Sequence, residues 1–528
     1  MTLDPIVAEV IAGSLVYASE EMGIAVRNAA YSPNIKERLD HSCALFDARG
    51  RLIAQAEHIP VHLGSLPWGL AKTVAAIHDT YGEVAPGEMW VVNDPYLSGT
   101  HLNDVTVIRP IFFRHALVGY AANKAHHADI GGAVPGSIST DASDLFAEGL
   151  VVPPIRLMRG GAVVTETVEL FRANSRTPDA RSGDLRAQVA GNVVGERRLI
   201  ELFERYGTAT VDAAIDRALD ASEIRMRAAL RALGDGVFDA RDALEDPTGA
   251  PTVAIALRMT LRDGSATFDY EGTCAQVPYP LNAVYGVTLS GVFYALRAVT
   301  DPTIPMNDGC FRPIVVSVPQ GTLLNPRRPA PVGGGNVETS TRNADVVLQA
   351  LALAAPDRVP ANSGGTMSNV MLGGDDWAFY ETNGCGMGAR PTADGLDGIQ
   401  CHMTNTLNTP IEAIERDYPL LVTRYEFAPG TGGNGRYRGG DGLVRGLELT
   451  HGEARATLLA DRHTVAPAGA LGGESGACGA HTFVSANGAR EKLPGKCTRT
   501  WHQGETIEIQ TPGGGGYGLV AGAGDGDG

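Results

Sequence analysis

The chain has 528 residues, 44 % of them hydrophobic, and a formal net charge of −17. That length and apolar content suffice for two or three packed units, and the acidic balance argues against unaided nucleic-acid binding, because no cluster of Lys and Arg is there to hold a phosphate backbone. The seven cysteines are scattered with no C-x-x-C spacing, which fits reduced thiols rather than a disulfide framework or structural zinc.

The opening MTLDPIVAEVIAGSLVYASEEMG lacks a basic start and carries Glu9, Glu20 and Glu21, so it reads as an amphipathic helix over about 5–30 and not as a signal peptide. Asp4 supplies its N-cap and Pro5 its first position. CALFD-ARG-RLIAQ is a hairpin turning at Ala48 to Gly50, followed by a helix near 65–80 and strands from Met89 onward. Between Leu185 and Leu233, apolar residues at three and four spacing predict two helices. Strands return from Gly236 to Gly272, with a hairpin around Asp263-Gly264, and Asn282 to Val299 is helical. The final third is rich in glycine and short strands, and no repeat of fixed period is present.

The expected fold class is α+β, with mixed helix and sheet, antiparallel hairpins and a glycine-rich, β-containing C-terminal region. The expected divisions are 1–182, a helical segment 183–235, an α+β region 236–518 and a disordered tail 519–528. The longest apolar stretch, Val287 to Val299, holds Ser290 and Arg297 and is too short to span a bilayer, so a cytoplasmic protein is expected.

Chemistry concentrates around THLNDVTVIRPIFFRHALVGYAANKAHHADIGG. His101 and Asp104 stand at the start of one β-branched, aromatic run, and His126, His127 and Asp129 follow the next. A hairpin closed near Arg114 brings these groups together, and imidazoles with carboxylates form a ligand set for a divalent metal. Asp40 and His41, at the entrance of the first hairpin, and His58, past its exit, repeat the pattern; Asp40 is the expected further ligand. His58 and His62 then orient ligands or carry protons, or only bond backbone, while Glu37 and Arg38 read as a solvated turn or as part of the polar cluster.

Four glycine-rich runs, PVGGGNVET (331–339), NSGGTMSN (362–369), PGTGGNGRYRGGDG (429–442) and TPGGGGYG (511–518), lack the G-x-x-x-x-G-K-[ST] order of a P-loop. Tight turns and close backbone packing account for them better than phosphate binding, and their number points to several segments crowding one site or interface. No G-x-S-x-G elbow is present, and Cys43 and Cys310 have no local histidine partner, which fits buried inert thiols.

Together NDPYLSGTHLNDVTVIRPIF, NDGCFRPIVVSVPQGTLLNP, NVETSTRNADVVLQALALA, NSGGTMSN, PGTGGNGRYRGGDGL and TPGGGGYG resemble the B subunit of the hydantoinase/oxoprolinase family, from about Pro5 to Gly518. The resemblance implies ring opening of cyclic amides such as hydantoins, 5-oxoproline and lactams at the expense of ATP. It places ATP on a separate A-type ATPase subunit, consistent with the missing P-loop, in a hetero-oligomer such as A2B2. It implies a metal site of His101, Asp104 and His126 with Asp40, holding zinc, manganese, iron or cobalt. Water activated there would attack a phosphorylated intermediate, with His58, His62 or His127 shuttling the proton. An ATP-dependent ketone carboxylase subunit and a non-catalytic scaffold for the A-type ATPase are the alternatives.

Overall fold

The computed structural model describes residues 3–56 and 58–520. The expected tail therefore lies, from residue 521 onward, outside the described residues. The fold is α+β. Helix Pro5–Ala29 begins as expected, Asp4 Oδ1 accepting from the Ile6 amide at 2.8 Å.

A seven-stranded sheet dominates the first third. Its strands are β1 (His41–Asp47), β2 (Leu52–Ala56), β3 (Met89–Val92), β4 (Asp104–Phe113), β5 (Ala116–His126), β6 (Ile155–Arg159) and β7 (Ala162–Val163), in the spatial order β2-β1-β5-β4-β3-β6-β7. All its pairings are antiparallel. The β4-β5 hairpin turns on Arg114 and His115, both at positive φ, and pairs Asp104 with His126. On one face lie helix Pro5–Ala29 and the two expected helices, Pro178–Tyr206 and Thr208–Arg231, over a core that includes Leu15, Met22, Leu45, Ala121 and Phe203. On the other lies a larger core in which helices His62–Tyr81, Tyr285–Val299 and Ser340–Ala354 take part, extending from Ala44 to Leu459. The site described below lies at the ends of β4 and β5, with later segments closing over it.

Three further sheets follow: four strands formed by Gly236–Leu244, Val253–Arg262, Ser265–Asp269 and Ile314–Ser317, another four between Asn369 and His502, and five between Leu420 and Gln510. Gly386, Gly433, Gly440 and Gly514, all outside the named strands, pack backbone against backbone. Gly433 N donates to Gly514 O (2.8 Å), Gly514 N to Gly440 O (2.9 Å) and Gly440 N to Met387 O (2.8 Å). A Cβ on Gly514 would lie 2.1 Å from Met387 O, and one on Gly386 would lie 2.0 Å from Gly440 O. Close packing, as the composition suggested, explains these runs. No helix of the described residues is long and apolar enough to cross a membrane.

Candidate metal centre

Strand register creates the cluster. Asp104 opens β4, His126 ends β5 opposite it, and His101 stands one turn earlier, its carbonyl accepting from the Asp104 amide at 3.2 Å. His101 Nε2 lies 3.2 Å from His126 Nδ1 and 3.3 Å from Asp104 Oδ1, while His126 Nδ1 is 3.5 Å from the same oxygen. One ligand atom from each of the three lies within 4.8 Å of the others, and all three side chains are buried. Asp40, just before β1, brings Oδ2 to 3.9 Å from His126 Nδ1.

This arrangement fits a divalent cation. His101 Nδ1 donates to Gly333 O at 3.3 Å, which leaves the Nε2 lone pair facing inward against a second ring nitrogen. Two buried carboxylates beside two imidazoles also require positive charge. Burial opposes charge on His101, yet Asp104 and Asp40 outweigh it and raise its pKa; burial likewise opposes ionisation of Asp104, but His101 and His62 hold it well below the ordinary carboxylate range. For His126 burial wins over Asp104 and Asp40, so its pKa is lowered. The set of nitrogen and oxygen donors suits zinc, manganese, iron or cobalt alike.

Surrounding groups fix these side chains. His62 bridges Ser42 Oγ (2.9 Å from Nδ1) and Asp104 Oδ2 (3.2 Å from Nε2). Glu148, fully buried, accepts from the Val332 and Gly333 amides at 3.0 and 2.7 Å, and so holds the carbonyl that meets His101. Burial pushes its carboxyl up to about 7. Lys124, buried behind Asp104, donates to Ser98 O (2.7 Å) and Thr100 Oγ1 (3.0 Å), and burial lowers its pKa to about 7. Asn336 Nδ2 reaches to 3.5 Å from Asp104 Oδ2, while its buried Oδ1 has no partner. Asp40, His62, Asp104, His126, Asn336 and Tyr380 are among the walls of a cavity of about 20 Å³, which Val61, Val337, Thr382, Met403 and Thr406 also line. Such a space admits one ion or water.

Of the sequence-derived candidates, Asp40, His62, His101, Asp104 and His126 meet here. His58 and His127 do not join them. His127 follows His126 and so points to the opposite side, where Nε2 meets Gln188 Oε1 at 3.0 Å. His58 lies toward the first helix, its Nε2 3.5 Å from Glu20 and its ring 5.0 Å from that of His41. Asp129 is held by Arg176 at 2.9 Å. Arg38 is not solvated: it is fully buried, donating to Tyr380 O (3.0 Å) and Thr382 Oγ1 (2.9 Å). Sequence reasoning missed Asn336, Tyr380, Thr382, Met403 and Glu148. Only Asn336 left a trace, inside the glycine run PVGGGNVET.

The model of the family described as hydantoinase B/oxoprolinase matches residues 4–520. The chain belongs to that family. It is 36 % identical to 5-oxoprolinase 1 of Arabidopsis thaliana over 95 % of its own length, and it spans only 40 % of that longer protein. It is 33 % identical to the putative D-/L-hydantoinase B subunit of a Pseudomonas species, covering 98 % of this chain and 90 % of that one. Among solved structures, the ATP-dependent caprolactamase of Pseudomonas jessenii superposes with a TM-score of 0.92 at 33 % identity, over 98 % of this chain and 92 % of the other.

Proposed function

We propose that this protein is the B subunit of an ATP-dependent cyclic amide hydrolase, and that ring opening is completed at the His101, Asp104, His126 and Asp40 centre. The observation that carries the reading is that buried cluster, lying in a chain without a P-loop yet related to an ATP-dependent caprolactamase. ATP is then used by an A-type partner subunit, as the greater length of the related 5-oxoprolinase also suggests. A divalent cation held by these four residues would supply Lewis acidity and make water a stronger nucleophile at neutral pH.

The chain's own residues do the rest. His62, bonded to Asp104, is the one proton-transfer candidate from the sequence that reaches the cluster, and its Nε2 orients the Asp104 carboxylate. The unpartnered Asn336 Oδ1 is left to accept a hydrogen bond from a water held in the same small cavity. Tyr380, Met403 and the apolar Val61 and Val337 exclude bulk water.

The test is reconstitution with the A-type partner, measuring phosphate release and product on hydantoin, 5-oxoproline and caprolactam, and on acetone with bicarbonate. ATP consumption that depends on a cyclic amide and stops on metal removal is the expected result. Turnover with the ketone and bicarbonate alone would replace amide hydrolysis by carboxylation.

A further inference from the structure

A second constellation, unused by the reading above, lines a cavity of about 410 Å³ whose walls include Tyr294, Arg358, Arg390, Cys401 and His402. Cys385 and Ile399 face each other across a short antiparallel bridge and exchange both backbone hydrogen bonds, at 2.8 and 2.9 Å. Cys401 follows Ile399 by two residues and therefore returns to the same side, its thiol 3.6 Å from the Ile399 carbonyl. There it neighbours the Cys385 thiol, and each of the two shifts the other's ionisation. Cys385 is buried against Gly364, where a Cβ would lie 2.5 Å from its sulfur, whereas Cys401 is partly exposed at the cavity wall. Cys401 thus lines the cavity and Cys385 does not.

The surroundings favour a thiolate at the outer position. His402 sits with Nε2 3.2 Å from Asp345 Oδ1; burial opposes the charged ring, but Asp345, with Cys401, holds its pKa above the ordinary value. The Cys401 pKa is lowered, first by the adjoining Cys385 thiol and, despite burial, by the charge of His402; the Cys385 pKa is raised. A low-pKa, accessible thiol beside a second one is the arrangement that oxidants select.

We infer that Cys385 and Cys401 form a dithiol modification site, reached through this cavity by hydroperoxides and closing to an intramolecular disulfide. The Cys401 thiolate attacks the peroxide, forming an S–O bond and breaking the O–O bond; sulfenic acid results, and the departing hydroxide (or alkoxide) takes up the proton that the thiol gave up on ionising and leaves as water (or alcohol). The Cys385 sulfur then attacks the Cys401 sulfur; the S–S bond forms, the S–O bond breaks, and the hydroxide leaves as water with the Cys385 proton. Two thiols are oxidised and one peroxide is reduced.

Native, reduced full-length protein treated with hydrogen peroxide, blocked with N-ethylmaleimide and mapped without reductant tests the site. The expected product is a Cys385–Cys401 linked peptide pair two hydrogens lighter than the reduced peptides, restored by dithiothreitol and formed about tenfold faster than oxidation of Cys478 or Cys497. C385S should stop at a Cys401 sulfenic acid trapped by dimedone, and C401S should leave Cys385 reduced. Because a substitution at buried Cys385 can impair folding, phenylarsine oxide provides an independent measurement on the unaltered chain: one arsenical should bridge the two thiols per native molecule. A link that forms only in denaturant, or native protein that neither links nor retains the arsenical, would overturn the inference.

Discussion

Tyr380 lies face to face on His126, with ring centroids 4.4 Å apart and planes inclined by 8°. Its hydroxyl donates to Asn369 Oδ1 at 3.0 Å, Asn369 Nδ2 donates to Glu338 Oε1 at 2.8 Å, and the Arg38 guanidinium stands 4.9 Å from the tyrosine ring. A strand far along the chain thereby fixes the plane of a candidate ligand. Tyr380→Phe should keep the ring and lose about 1 kcal/mol with the hydroxyl bond. Tyr380→Ala should cost about 3–5 kcal/mol and also weaken divalent-metal binding. Denaturant unfolding and calorimetric titration with Mn²⁺ or Zn²⁺ measure the two effects, and unchanged affinity in Tyr380→Ala would remove the orienting role.

His101→Ala and Asp104→Asn should each abolish bound metal, read by elemental analysis, while circular dichroism stays unchanged. Protons compete at the same atoms. Because Asp104 and Asp40 raise the His101 pKa in the metal-free cluster, affinity should fall as pH drops toward and below about 6.5, the ordinary histidine value. An affinity independent of pH between about 5 and 8 would speak against imidazole ligation.

Glu148→Ala removes the acceptor of two buried amides and lets Gly333, and with it the His101 hydrogen bond, shift. A loss of roughly 10–100-fold in metal affinity is expected. Equal affinity in the variant would show that His101 is oriented without this clamp.

Glu338 gives a stability signature with a definite sign. Burial, with Asp461 nearby, raises its carboxyl pKa from 4.5 to about 8. Between those values the folded chain keeps a proton that the unfolded chain has lost, so this group's contribution is full below 4.5 and is lost as pH rises through about 8. Glu338→Gln mimics the neutral acid and should flatten the decline, by an amount on the order of a few kcal/mol. Unfolding free energies of both proteins across that range provide the comparison, and parallel curves would contradict the assignment.

The glycine lattice predicts intolerance to the smallest side chain. In Gly514→Ala the added methyl meets the Met387–Gly388 peptide, 2.1 Å from Met387 O, so only backbone could yield. A loss of about 3 kcal/mol or more, or insoluble protein, is expected, whereas Gly488→Ala meets nothing within 4 Å and should cost little beyond the strain of its φ of 85°. Comparable melting of the two variants would refute the packing account.

The α+β class and the hairpins were legible because strand period and turn chemistry are local. Asp104 against His126 follows from two apolar runs and the polar pair between them. His126 and His127 were harder to separate, since adjacent residues look alike in sequence while the pleat sends them to opposite sides. The fate of His58 depends on the helix carrying Glu20, and that of Arg38 on Tyr380 and Thr382, more than 340 positions away. Nothing local in the sequence sets Glu148 or Glu338 apart from other acids before the packing that buries them is known, and the Cys385–Cys401 proximity needs a bridge that no short-range pattern announces.

The glycine blocks that carry the family resemblance hold backbone against backbone. A signature built from them therefore recognises an architecture that admits no side chain, and it would ring equally for any chemistry the architecture can house. Telling one chemistry from another among such proteins calls instead for reading the few side chains, such as Asn336 and Met403, that stand beside the candidate ligands.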